Sequence, residues 1–160
     1  DMLIFLITIF IFAIGIFILM FAVPAISNGL RQAGLNNSAE GINALNSMDY
    51  FSTHTINNGF LMVFVGLCMS VMITSFLVRT HPIFLFLYII FLGITILIGF
   101  YLGNAYAQLI ANPTFALMVD TATYPNLIMN HIAEISLAVG ALSMIIVFAK
   151  FSTYGGTQQF

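Results

Sequence analysis

Long apolar runs separated by polar segments set the pattern of this chain. Four runs contain very few side chains that form hydrogen bonds, and they cover residues 2–23, 60–78, 83–103 and 127–149. A helix needs about 20 mostly apolar residues to cross the roughly 30 Å hydrocarbon core of a bilayer. The runs do not alternate between polar and apolar positions, which argues against a membrane β-barrel. The pattern predicts an all-α fold, with a single membrane domain over residues 1–160 built from a bundle of four transmembrane helices.

The connections between the runs predict how the helices are arranged. Residues 79–82 are too few for anything but a reversal, so the second and third spans should form an antiparallel hairpin. Two long loops, residues 24–59 and 104–126, then lie on one side of the membrane. Lys and Arg near the span ends favour the cytoplasmic side, and Arg79 with Lys150 outnumber Arg31. We therefore expect both termini on the cytoplasmic side or its equivalent.

The first long loop contains an amphipathic stretch. Ser38 is placed to cap a helix in which Ile42, Leu45 and Met48 fall near one face. Its polar face lacks Lys and Arg, so attraction to anionic lipid does not explain it. We interpret the stretch as an interfacial segment that lies on the bilayer or on the other helices. It either caps the bundle or offers a docking surface to a partner outside the membrane.

The composition is that of an integral membrane protein. Apolar residues make up 61% of the chain and charged residues 5%, whereas a soluble domain carries about 25% charged residues. A soluble enzyme and a disordered chain are therefore excluded. Three Lys and Arg against five Asp and Glu provide no basic stripe, which excludes nucleic-acid binding.

Glu134 is the most informative polar residue, because it falls within the predicted fourth span, about two turns from its start. His131 lies three positions earlier on the same helix face, and His54 and Asn57 lie at the mouth of the second span on the same side. A carboxylate inside a span is costly, so it marks a paired structural group or a functional one. We expect Glu134 to be held by a hydrogen bond within this polar cluster. A proton relay, or a metal site of two His and one carboxylate, is the alternative.

The sequence offers few other candidates for catalytic chemistry. The spans hold no second acidic residue that could pair with Glu134 for general acid–base catalysis. The chain also lacks a Gly-x-Ser-x-Gly elbow, a phosphate-binding glycine loop and a His-Glu-x-x-His motif. We therefore expect no enzyme activity, no bound metal and no cofactor.

Pairs of small residues four positions apart are candidate helix-packing sites, since small side chains let membrane helices approach closely. Such pairs occur on three spans: Gly66 and Ser70, Gly99 and Gly103, and Ser136 and Gly140. They predict a compact bundle, or lateral contacts with neighbouring proteins.

Three stretches in the second half of the chain carry a resemblance. They are FYLGNAY at residues 100–106, YPN at residues 124–126, and FAKF at residues 148–151, where the last span ends. In this pattern the region 83–151 resembles small polytopic membrane proteins of tailless, membrane-containing icosahedral viruses. The resemblance implies a structural role in the lipid membrane beneath a protein capsid, without catalytic residues.

The sequence thus leads to a functional expectation with two alternatives. We expect a non-enzymatic structural or assembly protein in the internal membrane of a virion. Its partners would be the lipid bilayer and other membrane or capsid proteins, which it contacts through the long loops. An accessory membrane subunit of a larger respiratory or photosynthetic complex is one alternative. A small proton-coupled transporter that uses Glu134 is the other.

Overall fold

The computed structural model describes residues 2–77 and 83–154, and its elements there are all helical. The α-helices are α1 (Met2–Gln32), α2 (Ala39–Tyr50), α3 (Ile56–Leu77), α4 (Ile83–Ile110), α5 (Ala116–Val119), α6 (Thr123–Asn130) and α7 (Ile132–Tyr154). A π-helical turn, Phe51–Thr55, joins α2 to α3, and short 3-10 turns precede α2 and α5. The predicted reversal at residues 79–82 lies outside the described residues.

Four helices are long and apolar enough to cross a membrane, which confirms this part of the predicted fold. The stretches that meet both conditions are Met2–Gln32, Ala39–Leu77, Leu85–Ile110 and Ile132–Ala149. The second of them is a continuous helical rod in which α2, the π turn and α3 follow one another without a break.

One face of α1 forms the centre of the bundle and contacts α3, α4, α6 and α7. Its buried side chains recur every three or four residues, the spacing of a single helix face. They are Met2, Phe5, Leu6, Ile9, Ala13, Ile16, Phe17 and Met20. Helix α7 packs mainly against α4 and α3, which closes the bundle around α1.

Helices α1 and α4 continue well past the ends predicted from the apolar runs. Helix α1 runs through Pro24 to Gln32, although a proline removes the hydrogen bond to the carbonyl of Met20. Helix α2 packs against α1 beyond this point, so tertiary contact supports the helix where the local sequence weakens it. Helix α4 extends from the predicted end at residue 103 to Ile110, because Asn104 ends the apolar run without ending the helix.

The predicted fourth span is wrong at its beginning. Residues 127–130 belong to α6, and the helical path is interrupted at His131, whose φ and ψ are −114° and 20°. Helix α7 begins at Ile132, so the apolar helix that could cross a membrane starts five residues later than predicted. Hydropathy does not distinguish the end of α6 from a span, because the apolar residues 127–129 precede α7 by only two positions.

Candidate functional site

Both long connections fold onto the same end of the bundle, which we call the loop end. An aromatic cluster holds the second connection there. The ring of Phe115 lies 5.2 Å from Phe17 and 5.6 Å from Phe21, in edge-to-face geometry. The ring of Tyr106 lies 6.1 Å from Phe17 on α1. The residues between α4 and α6 therefore cap the bundle, as one interpretation of the sequence predicts.

The first connection forms a helical hairpin from the end of α1 and the whole of α2, residues 24–50, which we call the α1–α2 hairpin. The chain reverses at Gly34, whose φ of 91° favours glycine over any L residue. Ser38 then caps α2 by accepting a hydrogen bond from the backbone N–H of Gly41 at 3.0 Å, as predicted. A Cβ atom at Gly41 would collide with the backbone carbonyl of Leu35. The tip of the hairpin therefore needs glycine at both positions.

The two arms of this hairpin are joined by an ion pair between Arg31 and Asp49, whose side chains are 2.7 Å apart. Leu45 is fully buried between the arms, whereas Ile42, predicted on the same face, is 42% exposed. Position 41 packs against the backbone of Leu35 and so requires glycine, whereas the next residue, Ile42, faces outward. The amphipathic helix is therefore present, with a buried face that differs by one residue from the predicted one.

Hydroxyl side chains reinforce the π turn that joins α2 to α3. Ser52 and Thr53 both donate to the backbone carbonyl of Asp49, at 3.0 Å and 2.9 Å. A π turn widens the helix and weakens its regular hydrogen-bonding ladder, and these hydroxyl groups supply donors at that point. The hairpin is thereby continuous with the long helix α3 and not attached to it by a loose linker.

Polar contacts also connect the second long connection to the bundle. The Tyr106 hydroxyl donates to Oδ1 of Asn126 at 2.8 Å, and Nδ2 of Asn126 donates to the carbonyl of Val119 at 2.6 Å. Oδ1 of Asn57, on α3, accepts from the backbone N–H of Tyr124 at 3.1 Å. Tyr106 and Asn57 are buried, so these bonds fix the second connection in place at the loop end.

The predicted polar cluster is not assembled as one group. Nδ1 of His131 lies 3.6 Å from Oε2 of Glu134, an ion-pair distance. The ring of His54 instead packs 4.8 Å from Tyr50, and Asn57 binds the second connection. Among the described residues, no hydrogen bond or ion pair joins Glu134 to His54 or Asn57.

The predicted depth of Glu134 is wrong as well. It lies in the first turn of α7, three residues after the break at His131, and its side chain is 65% exposed. A carboxylate in the first turn of a helix is favoured by the positive end of the helix dipole. This position accounts for the charge at the end of an apolar helix without requiring a buried partner.

Two of the three predicted small-residue pairs lie at packed positions, and the third is exposed. A Cβ at Gly99 would lie 3.2 Å from Cα of Ala133, and one at Gly103 would lie 3.2 Å from the carbonyl of Met129, so this pair is where α4 approaches α6 and α7. Ser136 and Gly140 on α7 are buried. Gly66 faces open space and Ser70 is exposed, so this pair makes no close helix contact within the described chain.

Sequence reasoning missed a hydroxyl network at the other end of the bundle. The Ser75 hydroxyl on α3 is hydrogen-bonded to that of Ser143 on α7, and the Tyr88 hydroxyl on α4 donates to the carbonyl of Gly140 at 3.3 Å. The available signal was the spacing of Ser136, Gly140 and Ser143, which places three small residues on one face of α7.

A cleft of about 270 Å³ lies at the loop end between α4 and the start of α7. Gly99 and Gly103 leave room for it, and the polar side chains of Asn104, Asn130 and Glu134 line it. Its chemistry combines one carboxylate with two carboxamides beside an apolar wall.

Within the described part of the chain, no group of three His, Cys, Asp or Glu residues is placed to hold a metal ion. Comparisons with family models, characterised proteins and solved structures gave no match. The geometry of the loop end is therefore the basis for a functional proposal.

Proposed function

We propose that this chain is a non-enzymatic structural protein of a membrane, which spans the bilayer four times and binds a protein layer through the α1–α2 hairpin at its loop end. The observation that carries the proposal is the α1–α2 hairpin. It is helical along both arms, joined by the Arg31–Asp49 ion pair and continuous with α3. A rigid projection of this kind suits permanent attachment better than transport or catalysis.

Membrane insertion is supported by the outward faces of the four long helices. Large apolar side chains are exposed all around the bundle, including Ile11 at 64%, Met62 at 77% and Leu97 at 70%. A soluble monomer rarely exposes continuous apolar surface on this scale. Lipid tails are the environment in which such surface is stable.

The length of α1 supports a projection beyond the bilayer. Its apolar run ends at Val23, and the helix continues through nine more residues to Gln32. At 1.5 Å per residue these add about 13 Å, so the α1–α2 hairpin would stand at and above the lipid headgroups.

The surface of the hairpin has the composition of a protein contact. Carboxamide and hydroxyl side chains are exposed beside apolar ones, with few charges. The exposed residues include Asn36, Asn37, Leu35 at 40%, Ile42 at 42%, Asn43, Asn46 and Ser47. Such a mixture favours a protein partner over an anionic lipid surface.

The resemblance of residues 83–151 to viral membrane proteins favours one setting, the internal membrane of a virion beneath its capsid. An accessory subunit of a larger membrane complex would use the same loop end. The proton-coupled transporter has less support, because Glu134 lies on the exposed surface of the first turn of α7 and not within the bundle.

The proposal is tested by placing a charge on the hairpin. Ile42→Glu should lower incorporation of the protein into its native particle or complex roughly tenfold, as expected for a residue near the centre of an interface. Thr123→Glu is the matched control, because Thr123 is exposed at the loop end but outside the hairpin. Quantitative mass spectrometry of the purified assembly measures incorporation, and circular dichroism verifies folding. Incorporation of Ile42→Glu at the wild-type level would contradict the proposal.

A further inference from the structure

The cleft between α4 and α7 at the loop end combines features that suit a cationic ligand. Oε2 of Glu134 is 3.6 Å from the His131 ring nitrogen, beyond hydrogen-bond distance, and the carboxylate is 65% exposed. The carboxamides of Asn104 and Asn130 line the same cleft and are exposed. The cleft thus offers carboxylate and carboxamide oxygens as acceptors, with space of about 270 Å³ beside them.

The net charge of the loop end also favours a cation from outside the chain. The loop end carries four carboxylates, of Glu40, Asp49, Asp120 and Glu134, against the guanidinium of Arg31. That guanidinium is bound by Asp49 at 2.7 Å. Among the described side chains, Arg31 is therefore already paired. The basic group beside Glu134 is the imidazole of His131, which is a cation only when protonated.

The part of the cleft that lies farthest from its polar residues is apolar, which favours a lipid as the cationic ligand. Gly99 lies one helical turn along α4 from Gly103, in the direction of the apolar centre of the bundle, and Phe100 beside it is 60% exposed. A polar rim above an apolar groove matches a headgroup with its acyl chain. Glu134, at the start of an apolar helix, lies where headgroups would be.

We propose that this cleft binds the primary ammonium group of an aminophospholipid, of the phosphatidylethanolamine class, with Glu134 as its counter-ion. A primary ammonium has three N–H donors, which the carboxylate and the two carboxamide oxygens can accept. A choline headgroup has no N–H donor and gains less from these oxygens. The inference rests on the proposed function, because it requires that the chain is inserted in a bilayer.

Native mass spectrometry of the detergent-solubilised full chain tests the inference with an equimolar mixture of phosphatidylethanolamine and phosphatidylcholine that have identical acyl chains. The wild type should retain phosphatidylethanolamine over phosphatidylcholine by roughly fivefold, which corresponds to about 1 kcal/mol. Both headgroups carry a cationic nitrogen, but only the primary ammonium donates hydrogen bonds to the carboxylate. Glu134→Gln replaces the charged acceptor by a neutral one and should lower this ratio towards one. Asn104→Leu, which removes one carboxamide and keeps the carboxylate, should lower it as well. Glu40→Gln removes an exposed carboxylate on α2, outside the cleft, and should leave the ratio unchanged.

Three results would overturn the inference. They are no preference in the wild type, an unchanged preference in Glu134→Gln, and an equal loss of preference in Glu134→Gln and Glu40→Gln. The first is also the result expected if a lysine of a neighbouring protein occupies the cleft in the assembly. Flotation of the wild type with liposomes separates these outcomes from failure of the proposed function, since a chain that does not insert would remain unbound to both lipids.

Discussion

Nη2 of Arg31 lies 2.7 Å from Oδ2 of Asp49, and this contact joins the last turn of α1 to the last turn of α2. The two residues are 18 positions apart in the sequence. Asp49 lies at the end of α2 that is far from the turn at Gly34, whereas Arg31 lies three residues before that turn, so the ion pair ties the far end of α2 back to the α1 arm.

Removal of this ion pair should loosen the hairpin by a modest amount. Both side chains are more than one third exposed, so water screens the attraction, and Arg31→Ala should cost about 0.5–1 kcal/mol. Hydrogen exchange at the backbone amides of residues 39–50 measures the loss. The exchanged pair Arg31→Asp with Asp49→Arg should recover most of the protection. If the double variant exchanged faster than Arg31→Ala, the pairing would not be the cause.

Gly41→Ala should destabilise the turn of the hairpin more strongly. The added methyl group would collide with the carbonyl oxygen of Leu35, a backbone atom that cannot rotate away, and overpacking of this kind costs about 1–3 kcal/mol. Gly29→Ala is the matched control on α1, because a Cβ there meets nothing within 4 Å. It should stabilise the helix by about 0.5–1 kcal/mol. Thermal unfolding in detergent distinguishes the two, and a higher melting temperature for Gly41→Ala would refute the close approach.

Tyr106→Phe should destabilise the fold through a lost hydrogen bond. The Tyr106 hydroxyl is buried and donates to Asn126 at 2.8 Å, so its removal leaves Oδ1 of Asn126 without that donor, at about 1–3 kcal/mol. Tyr101→Phe, on the same helix at 77% exposure, should have no measurable effect. Thermal unfolding of both variants under one condition checks the difference, and equal melting temperatures would show that the bond contributes nothing.

Local patterns in the sequence were sufficient for much of the fold. The four apolar runs predict four helices of spanning length, and Ser38 predicts the start of α2, because helix length and helix capping depend on neighbouring residues. The same local patterns misplace the ends of α1 and α7. The proline at position 24 predicts an end of α1 that tertiary packing overrides, and the largely apolar run after residue 127 conceals the break at His131.

The candidate site was less predictable because its contacts join distant positions. Asn57 and Tyr124 are 67 residues apart, and Tyr106 and Asn126 are 20 apart. The spacing of His131 and Glu134 predicts that they share a helix face, and their side chains do lie 3.6 Å apart, although His131 precedes α7. It does not reveal that α7 begins between them, and this boundary decides whether Glu134 lies at the end of the apolar helix or within it.

Cysteine labelling tests the predicted sidedness of the two connections. In a Cys68→Ala background, cysteines at positions 46 and 120 should react with a membrane-impermeant reagent from the same side, because Asn46 and Asp120 are exposed at the loop end. A cysteine at position 154 should react from the opposite side. Reaction of positions 46 and 120 from different sides would contradict the four-span topology.

Site-specific photo-crosslinking in the intact assembly tests the central claim most directly, because it identifies what the α1–α2 hairpin touches. A photoreactive amino acid at Asn43, exposed on the hairpin, should form a discrete adduct with one protein partner. The same group at Leu97, 70% exposed on α4, should react mainly with lipid. Protein adducts from position 97, with lipid adducts alone from position 43, would contradict attachment through the hairpin.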